Sequence, residues 1–88
     1  MKSRGDLKRH ELIGLEVAIV DSTHPGYIGI QGRVVDETKR MMVIDAGGAE
    51  KKVPKASCVF EFVDGGRRER IVGSEIEFKP EDRVKRVK

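Results

Sequence analysis

Two histidines, His10 and His24, and one cysteine, Cys58, supply neither the His-Glu-x-x-His nor the Cys-x-x-Cys spacing that would hold a metal ion. A two-metal nuclease needs several carboxylates converging on ions roughly 4 Å apart. Nothing in the spacing of Asp21, Asp36, Asp45 and Glu50 forces that convergence, and Asp36 and Glu37, as neighbours in a strand, would point to opposite faces. The groups that do recur in clusters are cations: Lys39 with Arg40, Lys51 and Lys52 with Lys55, and Arg67 and Arg68 with Arg70. Their shared chemistry is recognition of phosphate oxygens, where an arginine fork can hold two oxygens and a lysine supplies one mobile charge. Such a pattern points to a polyanion binder. The rival reading is a metal-dependent nuclease in its own right, which would depend on Asp36 or Asp45.

A formal charge of +3 is a weak argument for a polyanion partner, but its distribution is uneven. Over residues 1–10, Lys2, Arg4, Lys8 and Arg9 face only Asp6. Residues 11–50 carry three bases against seven acids, and residues 51–88 carry eleven bases against seven. Both ends are therefore basic and the middle acidic, so one positive surface forms only if the fold gathers termini and loops. Solvated charge that keeps a small domain soluble is the competing use of the same residues.

The elements that would do the gathering are short strands. From Ile28 to Ala46 the chain reads as two alternating strands around the polar turn Asp36-Glu37-Thr38-Lys39-Arg40. Ile28, Ile30, Gly32 and Val34 share one face, Met42 and Ile44 answer them, and Lys39 and Arg40 stand at the exposed tip. Gly29 and Gly32 inside that first strand predict a sharp bend or a close approach to another backbone, as a small closed barrel requires. Leu15 to Asp21 alternates as an earlier strand, followed by the turn formers Ser22-Thr23-His24-Pro25-Gly26. Gly47-Gly48 marks a tight turn into a strand ended by Pro54, and Asp64-Gly65-Gly66 joins the alternating Cys58-Phe60-Phe62 strand to a strand from Arg67 to Val72. Ile76 and Phe78 alternate with Glu75 and Glu77 as a further strand.

Asp6 is placed to cap a two-turn helix through Leu12 and Ile13, with Gly14 ending it in a left-handed conformation; that helix persists only if Leu12 and Ile13 pack on something. Pro80-Glu81-Asp82 opens a last basic helix or tail that carries Arg83 and Arg86. The expected organisation is a basic extension over 1–14, an antiparallel β-barrel over 15–78 and a basic tail over 79–88. Six or seven short strands favour a barrel because closure hides edges that would otherwise aggregate, although a two-sheet sandwich has a similar strand count. With 88 residues and four aromatics, the core must be small and mostly Val, Ile and Leu, which excludes a deep substrate cavity. No run approaches the roughly 18 apolar residues of a membrane span, the lysine-rich start lacks a following signal region, and Cys58 has no disulfide partner within the chain; the expectation is a cytoplasmic protein with Cys58 in its core.

Several motifs in order resemble one family. These are His10-Glu11-Leu12-Ile13-Gly14-Leu15, Gly29-Ile30 with Gly32-x-Val34-Val35-Asp36-Glu37-Thr38-Lys39, Val53-Pro54-Lys55, Phe60-x-Phe62, and Gly73 followed by Pro80-Glu81-Asp82-Arg83. Together they resemble the archaeal ribonuclease P protein component 1, which is related to a eukaryotic subunit of ribonuclease P and ribonuclease MRP. Arg40 is a departure, since the family tends to carry Asn after the Lys; the turn stays polar and gains a charge. The resemblance implies an Sm-like barrel of about six strands, no catalytic residue and no cofactor. It also implies a place in the enzyme whose RNA subunit removes the 5′ leader of precursor tRNA, beside a zinc-ribbon protein subunit of the same particle.

On that reading the partner is the ribonuclease P RNA, with precursor tRNA met indirectly. Lys39, Arg40, Lys51, Lys52, Lys55, Arg67, Arg68, Arg70, Arg83 and Arg86 are the expected contacts, made to phosphate and sugar rather than to bases. Phe60, Phe62 and Phe78 fall at core-facing positions, which leaves Tyr27 as the one obvious ring for stacking on a base. Arg83 and His10 have a competing role in pinning the terminal segments to the barrel. A ribosomal or translation-related small-barrel protein is the alternative within the binding class.

Overall fold

The computed structural model describes residues 12–77. Six strands form one antiparallel sheet: β1 (Glu16–Ser22), β2 (Gln31–Glu37), β3 (Met41–Ala46), β4 (Ala49–Pro54), β5 (Cys58–Asp64) and β6 (Arg67–Val72). Their order is β4-β3-β2-β1-β5-β6, so hairpins build both halves and β1 pairs with β5 between them. The alternation read from the sequence becomes burial: Val17 and Ile19, Met42 and Ile44, Cys58, Phe60 and Phe62 all point inward. Every strand contributes to this one core, and Leu12 and Ile76 join it from the two ends of the described chain. A flat sheet cannot bring six strands onto one cluster, so the sheet curls around it as the expected barrel does.

Two close backbone approaches fix the curl. A β-carbon at Gly32 would collide with the Asp45 carbonyl oxygen across the β2–β3 ladder, which is the close approach predicted for that glycine. One at Gly73 would collide with the carbonyl oxygens of Lys55 and Cys58. That second contact seats the 3₁₀ turn Gly73–Ile76, which follows β6, against the 3₁₀ turn Lys55–Ser57, which joins β4 to β5. The seam between the two edge strands is bridged there. The hairpin tips Gly47-Gly48 and Gly65-Gly66 have φ between 61° and 95°, as two-residue turns of the primed type require.

Four expectations change. Ile28 does not lie on a strand face: the 3₁₀ turn Pro25–Tyr27 accepts the Ile28 N–H at Pro25 O, Gly29 turns left-handed, and β2 begins only at Gln31, leaving Ile28 exposed. Glu37 belongs to β2 and not to the turn, because a bulge at Val35 advances the register between Val34 and Asp36. With one extra residue, the inward side chain after Val34 is Glu37, and Asp36 faces solvent. Residues 75–77 do not continue as a strand, since the approach of Gly73 to Lys55 bends the chain into its 3₁₀ turn first. Ile13 is exposed, although Leu12 is buried as expected and Gly14 is left-handed at φ 96°. The helix expected from Asp6, Phe78 and the basic tail lie outside the described residues.

Candidate nucleic-acid interface

Charge is sorted by strand. The inner four strands of the order, β3, β2, β1 and β5, contain seven carboxylates and a single base, Arg33. That arginine is committed: its guanidinium donates to Gly14 O at 2.6 Å and lies 3.9 Å from Glu16. The two edge strands carry the opposite sign, with Lys51 and Lys52 against Glu50 on β4 and Arg67, Arg68 and Arg70 against Glu69 on β6. Lysine and arginine on a sheet edge oppose unwanted strand pairing, and they leave a long side chain free to meet a polyanion.

The β2–β3 tip presents Lys39 and Arg40 as predicted, both exposed. The tip is held from below, since Thr38 N–H donates to Met41 O at 3.0 Å, Met41 N–H donates to Thr38 Oγ1 at 3.1 Å, and Arg40 O accepts the Lys55 N–H at 2.8 Å. On β4, Lys52 lies opposite Val43 and Lys51 opposite Ile44, so the two lysines leave the strand on different faces and cannot serve one phosphate together. Arg67 stands opposite Asp64 at the β5–β6 tip. Arg68 and Arg70 share the outward face of β6, each 3.7 Å from a carboxylate oxygen of Glu61.

Lys55 leaves the set of outward cations. It is wholly buried, with Nζ 2.7 Å from Glu37 Oε2 and donating to Ile76 O at 3.0 Å. Its expected exposure rested on its place beside a turn, but the 3₁₀ turn directs it inward toward the carboxylate that the Val35 bulge has swung into the core. Arg83 and Arg86 lie outside the described residues.

Reading along the sequence missed Glu61 as an organiser of the arginines. Its signal was present: the two-residue turn Gly65-Gly66 sets Asp64 opposite Arg67, and counting back three positions places Glu61 opposite Arg70. Glu61 and Arg68 also border a shallow cleft of about 500 Å³ on the outer face, with Glu16, Arg33 and Asp45 around the small residues Ala18 and Gly32. Both signs of charge line it. Among the described residues, no three His, Cys, Asp or Glu side chains come together as metal ligands would, and no helix is long and apolar enough to cross a membrane. Tyr27 is half-buried against the core, with the His24 ring 5.4 Å away and tilted by 54°, so its ring is not a freely exposed stacking platform. Burial pushes the Cys58 thiol up, partly offset by its contact with Ser22 Oγ at 3.7 Å.

The family described as ribonuclease P/MRP, subunit p29, matches residues 5–86, nearly the whole chain. The chain belongs to that family. The ribonuclease P protein component 1 of Pyrococcus furiosus is 50% identical over 78 residues, which cover 88% of this chain and 61% of that protein. Its counterpart in Methanosarcina barkeri is 43% identical over 90 residues, covering 90% of this chain and 82% of the relative. A solved structure of a homologue of the human RNase P protein Rpp29 superposes with a TM-score of 0.63 at 44% identity, covering 85% of this chain and 99% of that one. This chain spans about three fifths of the length of its Pyrococcus furiosus relative.

Proposed function

We propose that this chain is a noncatalytic, RNA-binding protein subunit of ribonuclease P, which stabilises the RNA subunit through contacts to phosphate and to the shape of the folded strand. Membership of the family over residues 5–86 carries the reading, and the segregation of cations onto the edge strands and one hairpin tip supplies the physical means. Lys39, Arg40, Lys51, Lys52, Arg67, Arg68 and Arg70 are the contacts proposed on the described barrel. Arg83 and Arg86 extend the set along the C-terminal tail. Bond cleavage in precursor tRNA is left to the RNA. A zinc-ribbon protein subunit of the same particle is the protein partner proposed from the resemblance in sequence, and the cytoplasm is the location proposed from the composition of the chain.

Binding to ribonuclease P RNA across a salt series tests this reading. If about six phosphates are neutralised, affinity falls steeply and linearly on logarithmic axes as salt rises. An affinity indifferent to salt overturns the phosphate grip. Cleavage of precursor tRNA by the purified chain with no RNA subunit, lost on Asp36→Asn or Asp45→Asn, overturns the noncatalytic assignment.

A further inference from the structure

Edge strand β6 presents Arg68 and Arg70 two residues apart on one face, a separation of about 6.8 Å along an antiparallel strand. Both lean on one acid of the neighbouring strand. Glu61 is directly opposite Arg70 and diagonal to Arg68, and its two oxygens are divided between them: Oε1 lies 3.7 Å from Arg68 Nη1 and Oε2 lies 3.7 Å from Arg70 Nη2. The carboxylate is the sheltered member at 22% exposure, while the arginines stand above it at 73% and 64%.

At 3.7 Å neither contact is a hydrogen bond, so the N–H groups of both forks remain available to a second acceptor. Ion pairs this exposed contribute little to holding a fold together. Their effect on a polyanion is larger, because the triad presents two forks with a net charge of one. A diffuse or mobile RNA backbone meets a weakened attraction there. A backbone that places two phosphates over two forks gains directed bonds that the carboxylate does not cancel.

We propose that Glu61 is a specificity-determining residue of the RNA surface, holding Arg68 and Arg70 side by side while cancelling part of their charge, so that β6 grips a folded RNA backbone and rejects unstructured RNA. The inference rests on the phosphate-grip reading given above. Glu61 is a positioning residue in this scheme, acting through the two arginines.

The test uses the full chain with two probes, ribonuclease P RNA and an unstructured RNA of equal length. Glu61→Gln is expected to tighten binding of the unstructured RNA about threefold to tenfold and to steepen its salt slope by about one unit, with a smaller gain for ribonuclease P RNA, so that selectivity falls. In an Arg68→Ala, Arg70→Ala background, the same Glu61→Gln change is expected to move neither affinity. The proposal is overturned if Glu61→Gln leaves selectivity and slope at their wild-type values, or if it shifts them equally without the two arginines. A wild-type affinity that does not vary with salt overturns the phosphate grip and this role together. A salt-dependent wild type with an indifferent Glu61→Gln variant overturns this role alone.

Discussion

Lys55 Nζ stands 2.7 Å from Glu37 Oε2, and both side chains are sealed from solvent. The pair joins the bulged end of β2 to the turn after β4, and a further hydrogen bond of the ammonium, to Ile76 O, ties in the turn after β6. Removing either partner strands a buried charge, at a cost of about 3–5 kcal/mol, whereas replacing both with apolar groups of similar volume is close to neutral. Lys55→Met and Glu37→Gln should each lower the denaturation midpoint sharply, and the double variant Lys55→Met with Glu37→Leu should recover most of it. A double variant no more stable than the singles would show that the ion pair is not what joins these elements. At a temperature where Lys55→Met is still folded, its RNA affinity should keep the wild-type salt slope, since this lysine faces no phosphate.

Gly32 and Gly73 are required for a different reason from the glycines of the hairpin tips. A β-carbon at either would meet backbone oxygen, which cannot rotate away, so Gly32→Ala forces β2 from β3, Gly73→Ala forces the turn after β6 from the turn after β4, and each should cost about 1–3 kcal/mol or more. Gly66 has φ 86° with open space around its α-carbon, so Gly66→Asn carries only local conformational strain, on the order of 1 kcal/mol. Thermal unfolding should show Gly32→Ala and Gly73→Ala each more destabilised than Gly66→Asn. Equal losses would mean that the close approaches do not govern the curl of the sheet.

The strands were legible because their signals are local. Alternation at Met42 and Ile44, or at Cys58, Phe60 and Phe62, is set by pleating alone, and the paired glycines at 47–48 and 65–66 announce their turns. The Lys55–Glu37 pair was not legible, because it depends on a pairing irregularity. One extra residue at Val35 exchanges Asp36 for Glu37 at the inward position, and no propensity of the Val-Val-Asp-Glu run specifies that exchange. The outward cations were identified by type and position, yet their grouping by strand order came only with the topology.

Cys58 is 2% exposed, and burial holds its thiol above the ordinary cysteine range. A group protonated more tightly in the folded state stabilises the fold fully below its unfolded value, and that contribution is lost as pH rises through the folded value. Between neutral pH and pH well above about 8.5, the wild type should therefore lose stability relative to Cys58→Val, as read from denaturant midpoints. The native thiol should also react slowly with an alkylating reagent until the chain is unfolded. Parallel pH curves for the two proteins, together with rapid labelling of the native state, would contradict the burial of this side chain.

Lys39 and Arg40 occupy a tip remote in sequence from Arg68 and Arg70, and the phosphate grip requires both groups to be counted in the same salt dependence. Each cation that contacts a phosphate releases about one counterion, so Lys39→Ala with Arg40→Ala should reduce the salt slope by nearly two, and Arg68→Ala with Arg70→Ala by a similar amount. Changing all four should sum the two reductions, because separated contacts act independently. Arg68→Lys with Arg70→Lys distinguishes charge from geometry: the slope should persist while affinity for ribonuclease P RNA falls, since an ammonium lacks the fork that engages two oxygens. Filter binding across the salt series reads both quantities. A lysine pair that restores affinity fully would reduce the role of β6 to unspecific charge, and a tip variant with an unaltered slope would remove Lys39 and Arg40 from the interface.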